Sequence, residues 1–416
     1  MEDPRTRQWQ VALVWAFIIV FVSGLHLAPQ GRLTAALLAL GAGVYFVRIL
    51  LSAPTPLTND PLYRPRVSVL VAARNEEAVV ERLVANLCAL DYEDFEVWVA
   101  DDGSTDSTYR RLVEAGRNQP RLQILRRPEG SRPGKSAVLN DLAAKAKGDI
   151  LAVFDADAQV EPDFLQRNVA LFADPELGAV QARKMIVNAK ENFWTRGQAA
   201  EMLLDTCQLQ QRASLGGTAE LRGNGQLVRV EALRLVKGWT ETTVTDDLDL
   251  SLKLPLAGFN VQFVAEPCVF EEGVTTWESL FRQRSRWAEG GFQRYLDYAE
   301  GIFANRMGSA KTFDQLFFGS IQYLMPLAAV WDLFFSLLGG YTPLLTPLVL
   351  VATLFTGTAF YLGQRQAGVP NPKAVTESVL GTVYFLHWFP VIVIKMANMV
   401  LKPKRLVWVK TTHQGG

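Results

Sequence analysis

Apolar positions crowd towards the two ends of this chain. Residues 9–27 are an almost unbroken apolar run, and residues 33–51 a second, interrupted only by Arg48. Each is long enough to cross a bilayer as a helix. A cleaved signal peptide is the rival reading of the first run, but its length and the second run directly behind it favour a membrane hairpin. Arg5, Arg7 and Arg48, the last able to snorkel, then lie on one side, which the positive-inside rule makes the cytoplasm. Residues 53–66 hold Pro54, Pro56, Pro61 and Pro65 and read as a stiff linker. Towards the other end, residues 316–338, 342–362 and 378–401 are apolar again, the last marred by Pro390 and Lys395. Three crossings from a cytoplasmic domain would leave Lys402, Lys404, Arg405 and Lys410 outside, against the same rule. One of these segments is therefore expected to be interfacial or re-entrant.

The middle of the chain alternates differently. Short apolar runs at 67–73, 95–100, 122–125 and 149–157 predict strands, and the segments 76–90, about 106–115 and 135–147 predict helices. Strands alternating with helices imply βαβ units and a mostly parallel sheet. Further on, a helix is expected over 191–215, a glycine-rich break at Gly216-Gly217 and Gly223-Asn224-Gly225, and a helix over 248–256 with Thr245 as its N-cap. Residues 277–298 are amphipathic and aromatic, with Arg282, Arg284, Arg286 and Arg294, and can lie in a bilayer interface. The divisions are thus a membrane hairpin (1–52), a linker (53–66), an α/β catalytic domain (67–275), an interfacial segment (276–310) and a membrane region with a basic tail (311–416).

Composition narrows the function. Lys+Arg and Asp+Glu are both 42 of 416 residues, so no basic excess points to nucleic acid. Cys88, Cys207 and Cys268 are scattered, as are three histidines, which argues against a disulfide framework or a His/Cys zinc site.

Candidate chemistry collects at the carboxyl ends of the predicted strands, where open α/β sheets bind ligands. Asp155 and Asp157 end the fourth run; two hard oxygens at i and i+2 suit Mg²⁺ or Mn²⁺ with bound phosphates, or else cap the next helix. Asp101 and Asp102 suit the polar edges of a nucleoside, or a turn. Gly134-Lys135 is out of register for a P-loop, but a lysine at a helix start can attract a diphosphate or simply be solvated. Asp246 and Asp247 can be first-turn acids. Gln283 to Trp287 can be ordinary interfacial residues, or a phosphate clamp and a stacking ring.

In order, these motifs over about residues 67–290 resemble the membrane-bound members of glycosyltransferase family 2, which includes cellulose, hyaluronan and chitin synthases and related lipid glycosyltransferases. The resemblance implies a GT-A, Rossmann-like catalytic domain flanked by transmembrane helices. It makes Ala73, Arg74, Asn75, Glu76, Asp101 and Asp102 uridine-binding positions, and sets Lys135 and Asn140 beside the nucleotide. It makes Asp155 and Asp157 the metal-binding Asp-x-Asp. It makes Asp247 the catalytic base, with Asp246 where the family usually has Glu. Gln283, Arg286 and Trp287 match Gln-x-x-Arg-Trp, which borders acceptor and diphosphate, and Asp246 is expected beside them. Residues 286–298 and 407–411 are also similar to the cyanobacterial enzymes that glucosylate diacylglycerol. The implied enzyme is an integral membrane protein of plasma or thylakoid-type membrane with a cytoplasmic catalytic domain. It would move a sugar, expected to be glucose, from a UDP-sugar to a membrane lipid with inversion. A processive β-polysaccharide synthase is the alternative. A dead scaffold is disfavoured because Asp155, Asp157 and Asp247 are all present.

Overall fold

The computed structural model describes residues 4–402, which form two compact units. The first is built from residues 55–202 and 218–279 and is an α/β unit around one sheet. Its elements are β1 (Val67–Ala73), β2 (Phe95–Asp101), β3 (Leu122–Arg126), β4 (Ile150–Phe154), β5 (Gln159–Val160), β6 (Leu177–Ile186), β7 (Gln226–Arg229) and β8 (Asn260–Glu271). The sheet runs β3-β2-β1-β4-β7-β6-β8-β5. The four strands predicted from apolar runs pair in parallel, as expected, and β6 pairs in parallel with β8. The β4–β7, β6–β7 and β5–β8 pairings are antiparallel, so the sheet is mixed although mostly parallel.

In chain order the helices are α1 (Pro4–Leu27), α2 (Gly31–Leu51), α3 (Val80–Cys88), α4 (Thr108–Gly116), α5 (Lys135–Ala143), α6 (Phe164–Val169), α7 (Phe193–Ser214), α8 (Val230–Leu235), α9 (Asp246–Leu256), α10 (Trp277–Asp297), α11 (Ala299–Phe303), α12 (Ser309–Gly319), α13 (Met325–Gly339), α14 (Thr346–Gln366), α15 (Asn371–Phe385) and α16 (Trp388–Leu401). Val80, Leu83, Val84 and Leu87 recur on one face of α3 and join Val69, Val71, Val97, Val99 and Phe154 in the core. The helix expected from Glu76 starts only at Val80. The N–H of Glu76 goes instead to Thr108 Oγ1 at 2.6 Å and that of Glu77 to Asp106 Oδ2 at 3.3 Å, which holds the preceding turn out of the helix.

The second unit holds the chain up to Pro54, Leu203–Gly217 and the chain from Leu280. Among the described residues, five helical segments in it are long and apolar enough to cross a membrane, including Thr6–Leu27, Gly31–Leu51 and Thr346–Gln366. Ser309–Gly339 is one such segment, with a π-helical turn at Ser320–Leu324. The last, Asn371–Leu401, is broken at Leu386–His387 between α15 and α16. Pro390 falls in the first turn of α16, where a missing N–H costs nothing. Lys395 is paired with Glu289.

Contacts give the directions of these helices. Phe46 stacks on Phe355 at 4.0 Å, and a Cβ at Gly43 would lie 3.7 Å from Val351, so α2 and α14 run the same way. Tyr361 donates to Asn371 Oδ1 at 2.8 Å, and a Cβ at Gly357 would meet Thr382 at 3.3 Å, so α15 runs back along α14. Its last turn lies against the middle of α14, with Thr382 at Gly357 and Phe385 5.9 Å from Phe360, before the break. Then α16 finishes with Val400 O accepting from Gln8 Nε2 at 3.2 Å, beside the start of α1. The starts of α1 and α15 and the ends of α2, α14 and α16 therefore share one end of this unit. At the other end, Asp332 accepts from His26 Nε2 (2.8 Å) and from the N–H groups of Leu344 and Leu345 (3.0 and 2.9 Å).

The amphipathic segment departs from its expected form. Arg284 and Arg294, counted among the arginines of this amphipathic segment, are 1% and 2% exposed. They are buried because aromatic and polar side chains of the same unit receive them, Trp287 for Arg284 and Tyr295 for Arg294.

Candidate active site

The site in the α/β unit grows from the carboxyl ends of β1, β2 and β4. Asn75 adopts φ +55°, a left-handed conformation that asparagine tolerates better than most residues. There its Oδ1 accepts from Thr105 N at 2.8 Å, and its own N–H reaches Ser104 Oγ at 2.9 Å. Ala73 O accepts from Asp102 N at 2.9 Å. These bonds tie the loop after β1 to the loop after β2. Asp101 and Asp102 part company: Asp101 is 1% exposed, with both carboxylate oxygens buried and unpartnered among the described residues. Asp102 is paired with Arg127 and lies 3.9 Å from Arg74. Glu76 is buried.

Arg127, unremarked in the sequence, is a hub. It pairs with Asp102, donates from Nε to Asp141 Oδ2 at 2.9 Å, and from Nη2 to Arg132 O at 2.8 Å. Arg132 in turn pairs with Asp141 and Glu241. Asn140 closes the chain: its amide donates to Trp239 O (2.9 Å) and Glu241 Oε1 (3.0 Å) and accepts from Trp239 N (3.0 Å). Its side chain thus holds the loop that leads into α9.

The acids after β4 face a lysine. Lys135, at the start of α5, donates from Nζ to Asp155 Oδ1 at 2.6 Å. Burial alone would lower its pKa, but Asp155, Asp246 and Asp247 outweigh that and hold it above the ordinary lysine value. Asp157 is buried, and its Oδ2 accepts from Glu272 N at 3.0 Å. Asn224, fully buried, fixes the backbone between them: its Oδ1 accepts from Asp155 N at 3.2 Å and its Nδ2 donates to Glu271 at 3.1 Å. Lys184 Nζ pairs with the other Glu271 oxygen at 3.0 Å. The sequence showed Gly223-Asn224-Gly225 only as an interruption; nothing in it marks Asn224 as a site residue.

Asp247 comes to the same place from α9. Gly223, at φ +82°, passes so close that a Cβ there would lie 3.2 Å from Asp247 Oδ2 and 3.8 Å from Lys135 Nζ. Only glycine combines that backbone angle with that clearance. Burial, then the Asp246 carboxylate, raise the Asp247 pKa to about 6, against the Leu248 N–H, Lys135 and Lys184, which lower it. Thr245 occupies the N-cap position but makes no capping bond, contrary to expectation; its hydroxyl is buried without a partner among the described residues. Asp247 Oδ1 takes the Leu248 N–H instead, at 2.8 Å.

Asp155 and Asp247 thus share one neighbourhood with Lys135, with Asp157 held by the adjoining strand end. Among the described residues, no group of three or more His, Cys, Asp or Glu forms a complete metal cage. Two carboxylates are nevertheless the usual protein share for a cation that completes its shell with phosphate and water. Gln283, Arg286 and Trp287 lie on α10 in the membrane unit, where all three are half-buried.

A GT-A sheet with acids and a lysine at its strand ends, in a chain with membrane-length helices, defines a membrane-associated glycosyltransferase. The model "Glycosyltransferase like family 2" matches residues 65–290, and the chain belongs to that family. It is 44% identical, over 98% of its length and 90% of the relative's, to a protein of Nostoc sp. named beta-monoglucosyldiacylglycerol synthase. A protein of Synechocystis sp. with the same name is 46% identical over 87% of the chain and 78% of its own length. Among solved structures, the mannosyltransferase PcManGT of Pyrobaculum calidifontis, in complex with GDP-Man and Mn²⁺, matches with a TM-score of 0.59 at 23% identity, covering 85% of this chain and 98% of that one. This likeness shows the shared fold.

Proposed function

We propose that this enzyme transfers glucose from UDP-glucose to diacylglycerol with inversion, giving β-monoglucosyldiacylglycerol. The carrying observation is the half-buried Asp247 carboxylate, raised to about 6, in one neighbourhood with Lys135 and Asp155. A base tuned upward is better matched to taking a proton from a lipid hydroxyl near neutral pH. Asp247 is assigned that proton. The acceptor oxygen forms the new bond to the anomeric carbon as UDP leaves from the opposite face. Asp155 and Asp157 are assigned to hold Mg²⁺ or Mn²⁺, which when bound offsets charge on the diphosphate. Lys135, kept protonated by its carboxylate neighbours, adds a second positive charge. Asp102, Arg74 and Asn75 with its neighbours are assigned to the nucleoside, and Asn140 to placing the loop before α9. In the membrane unit, Gln283 and Trp287 are assigned to the acceptor and Arg286 to the diphosphate.

Names that match over nearly the whole chain support a lipid acceptor rather than a growing polysaccharide. The test is incubation of the purified protein in micelles with labelled UDP-glucose, diacylglycerol and Mg²⁺. Label in chloroform-soluble glucolipid is expected. Label in ethanol-insoluble polymer, or in no product, would refute the assignment.

The helix directions suggest the placement in the membrane. If the start of α1 faces the cytoplasm, so do the ends of α2, α14 and α16. Asn371–Leu401 is then re-entrant, and Lys402 is cytoplasmic, as the positive-inside rule requires. Lys404, Arg405 and Lys410 lie outside the described residues.

A further inference from the structure

Arg284, 1% exposed, follows Gln283 on α10. A guanidinium stays charged in proteins, so its burial requires partners. Its Nη1 donates to Gln283 Oε1 at 3.0 Å and its Nη2 to the Tyr384 hydroxyl at 3.3 Å. Its Cζ lies 4.0 Å from the ring centroid of Trp287 and 5.6 Å from that of Trp388. Tyr384 and Trp388 flank the break where α15 turns into α16. That turn is closed by His387 N donating to Tyr384 O at 3.1 Å. Further along, Glu289 of α10 pairs with Lys395 of α16. The α15–α16 hairpin thus holds α10 at two points, and the first is an arginine between two indoles. A planar cation stacked on an indole restricts the ring in a way an aliphatic side chain does not. An ionisable residue within a membrane unit is also costly and commonly functional.

We infer that Arg284 is a positioning residue for the lipid acceptor. It locks the Trp287 indole against the α15–α16 turn, so the turn sets how Trp287 meets a lipid. This rests on the assignment of Trp287 to the acceptor. The effect of losing Arg284 therefore falls on acceptor use and spares the nucleotide.

The experiment compares the full-length wild type with Arg284→Met, Arg284→Lys and Tyr384→Phe in micelles of defined diacylglycerol content. For Arg284→Met the acceptor KM is expected to rise at least tenfold, with the UDP-glucose KM and the UDP Kd within twofold. Arg284→Lys should fall between, and Tyr384→Phe should raise the acceptor KM about threefold. Hydrogen exchange of the peptide spanning the α15–α16 turn should quicken in Arg284→Met, while peptides of β1 and β4 stay unchanged. A turn whose exchange is unaltered would overturn the inference, because the tie is then absent. Equal losses in both KM values would reduce Arg284 to a structural role and also overturn it. A wild type that glucosylates no lipid refutes the proposed function instead, and the exchange result still decides whether Arg284 holds the turn.

Discussion

Asp247 meets two opposed demands. In its proposed role as base it gains from a raised pKa, yet a carboxylate pushed upward by burial costs stability once ionised. Its folded pKa of about 6 lies above the ordinary 3.8, so its contribution to folding is full below the ordinary value and is lost as pH rises through about 6. Asp247→Asn should therefore gain in melting temperature relative to wild type as pH rises from 5 to 7, in metal-free buffer. A difference curve flat across that window would mean the shift is not there. The same variant should lose about 10²–10⁴-fold in transfer and bind UDP within twofold of wild type. The rate of the wild type should decline below about pH 6, as Asp247 takes up its proton. Arg127 makes a different kind of prediction. Removing a buried partner leaves uncompensated charge, at a cost of roughly 3–5 kcal/mol. Arg127→Met leaves Asp102 only Arg74, at 3.9 Å, and leaves Asp141 only Arg132, so a fall in melting temperature and weaker UDP binding are expected. Calorimetric binding that matches wild type would show that Asp102 does not serve the nucleotide.

At the scale of elements, the strands that were readable are those with nothing to do but pack. β1 and β4 are buried along their whole length and apolar but for Ser68. β6 carries Gln181, Arg183 and Lys184, and its hydrophobic pattern is broken because Gln181 and Lys184 serve the site while Arg183 pairs with Glu266. Gln181 accepts from Arg222 N at 2.6 Å and donates to Asn224 O at 2.8 Å, and Lys184 pairs with Glu271. Local rules failing at functional positions is the expected exception. The C-terminal helices show the converse. Apolar length alone marked three segments as spans, and only the course of α15 along half of α14 separates a re-entrant hairpin from a crossing. In a cysteine-free background, single cysteines at Lys373 and Leu401 should react with an impermeant maleimide from the same side of sealed vesicles. Labelling from opposite sides would rule out the re-entrant course.

At the scale of the whole molecule, the proposed lipid acceptor would reach the enzyme through the bilayer. The rate should follow the mole fraction of diacylglycerol in mixed micelles, at fixed bulk concentration. Dependence on bulk concentration alone would indicate an acceptor taken from water. Removal of divalent cations by a chelator should abolish transfer, with Mg²⁺ or Mn²⁺ restoring it. Full activity in the chelator would take Asp155 and Asp157 out of metal binding.

The amino-acid sequence by itself determined the membrane-length segments, the four parallel strands and the order of acidic motifs at their ends. Each depends on hydrophobic periodicity within a few residues, or on the rule that parallel strands deliver their carboxyl ends to one edge. Tertiary structure alone decided that Arg127 holds Asp102, 25 positions away, that Asn224 holds the backbone of Asp155, 69 away, and that Arg284 meets Tyr384, 100 away. Such pairings follow from which buried polar groups the packed chain leaves facing one another, and no local pattern records that.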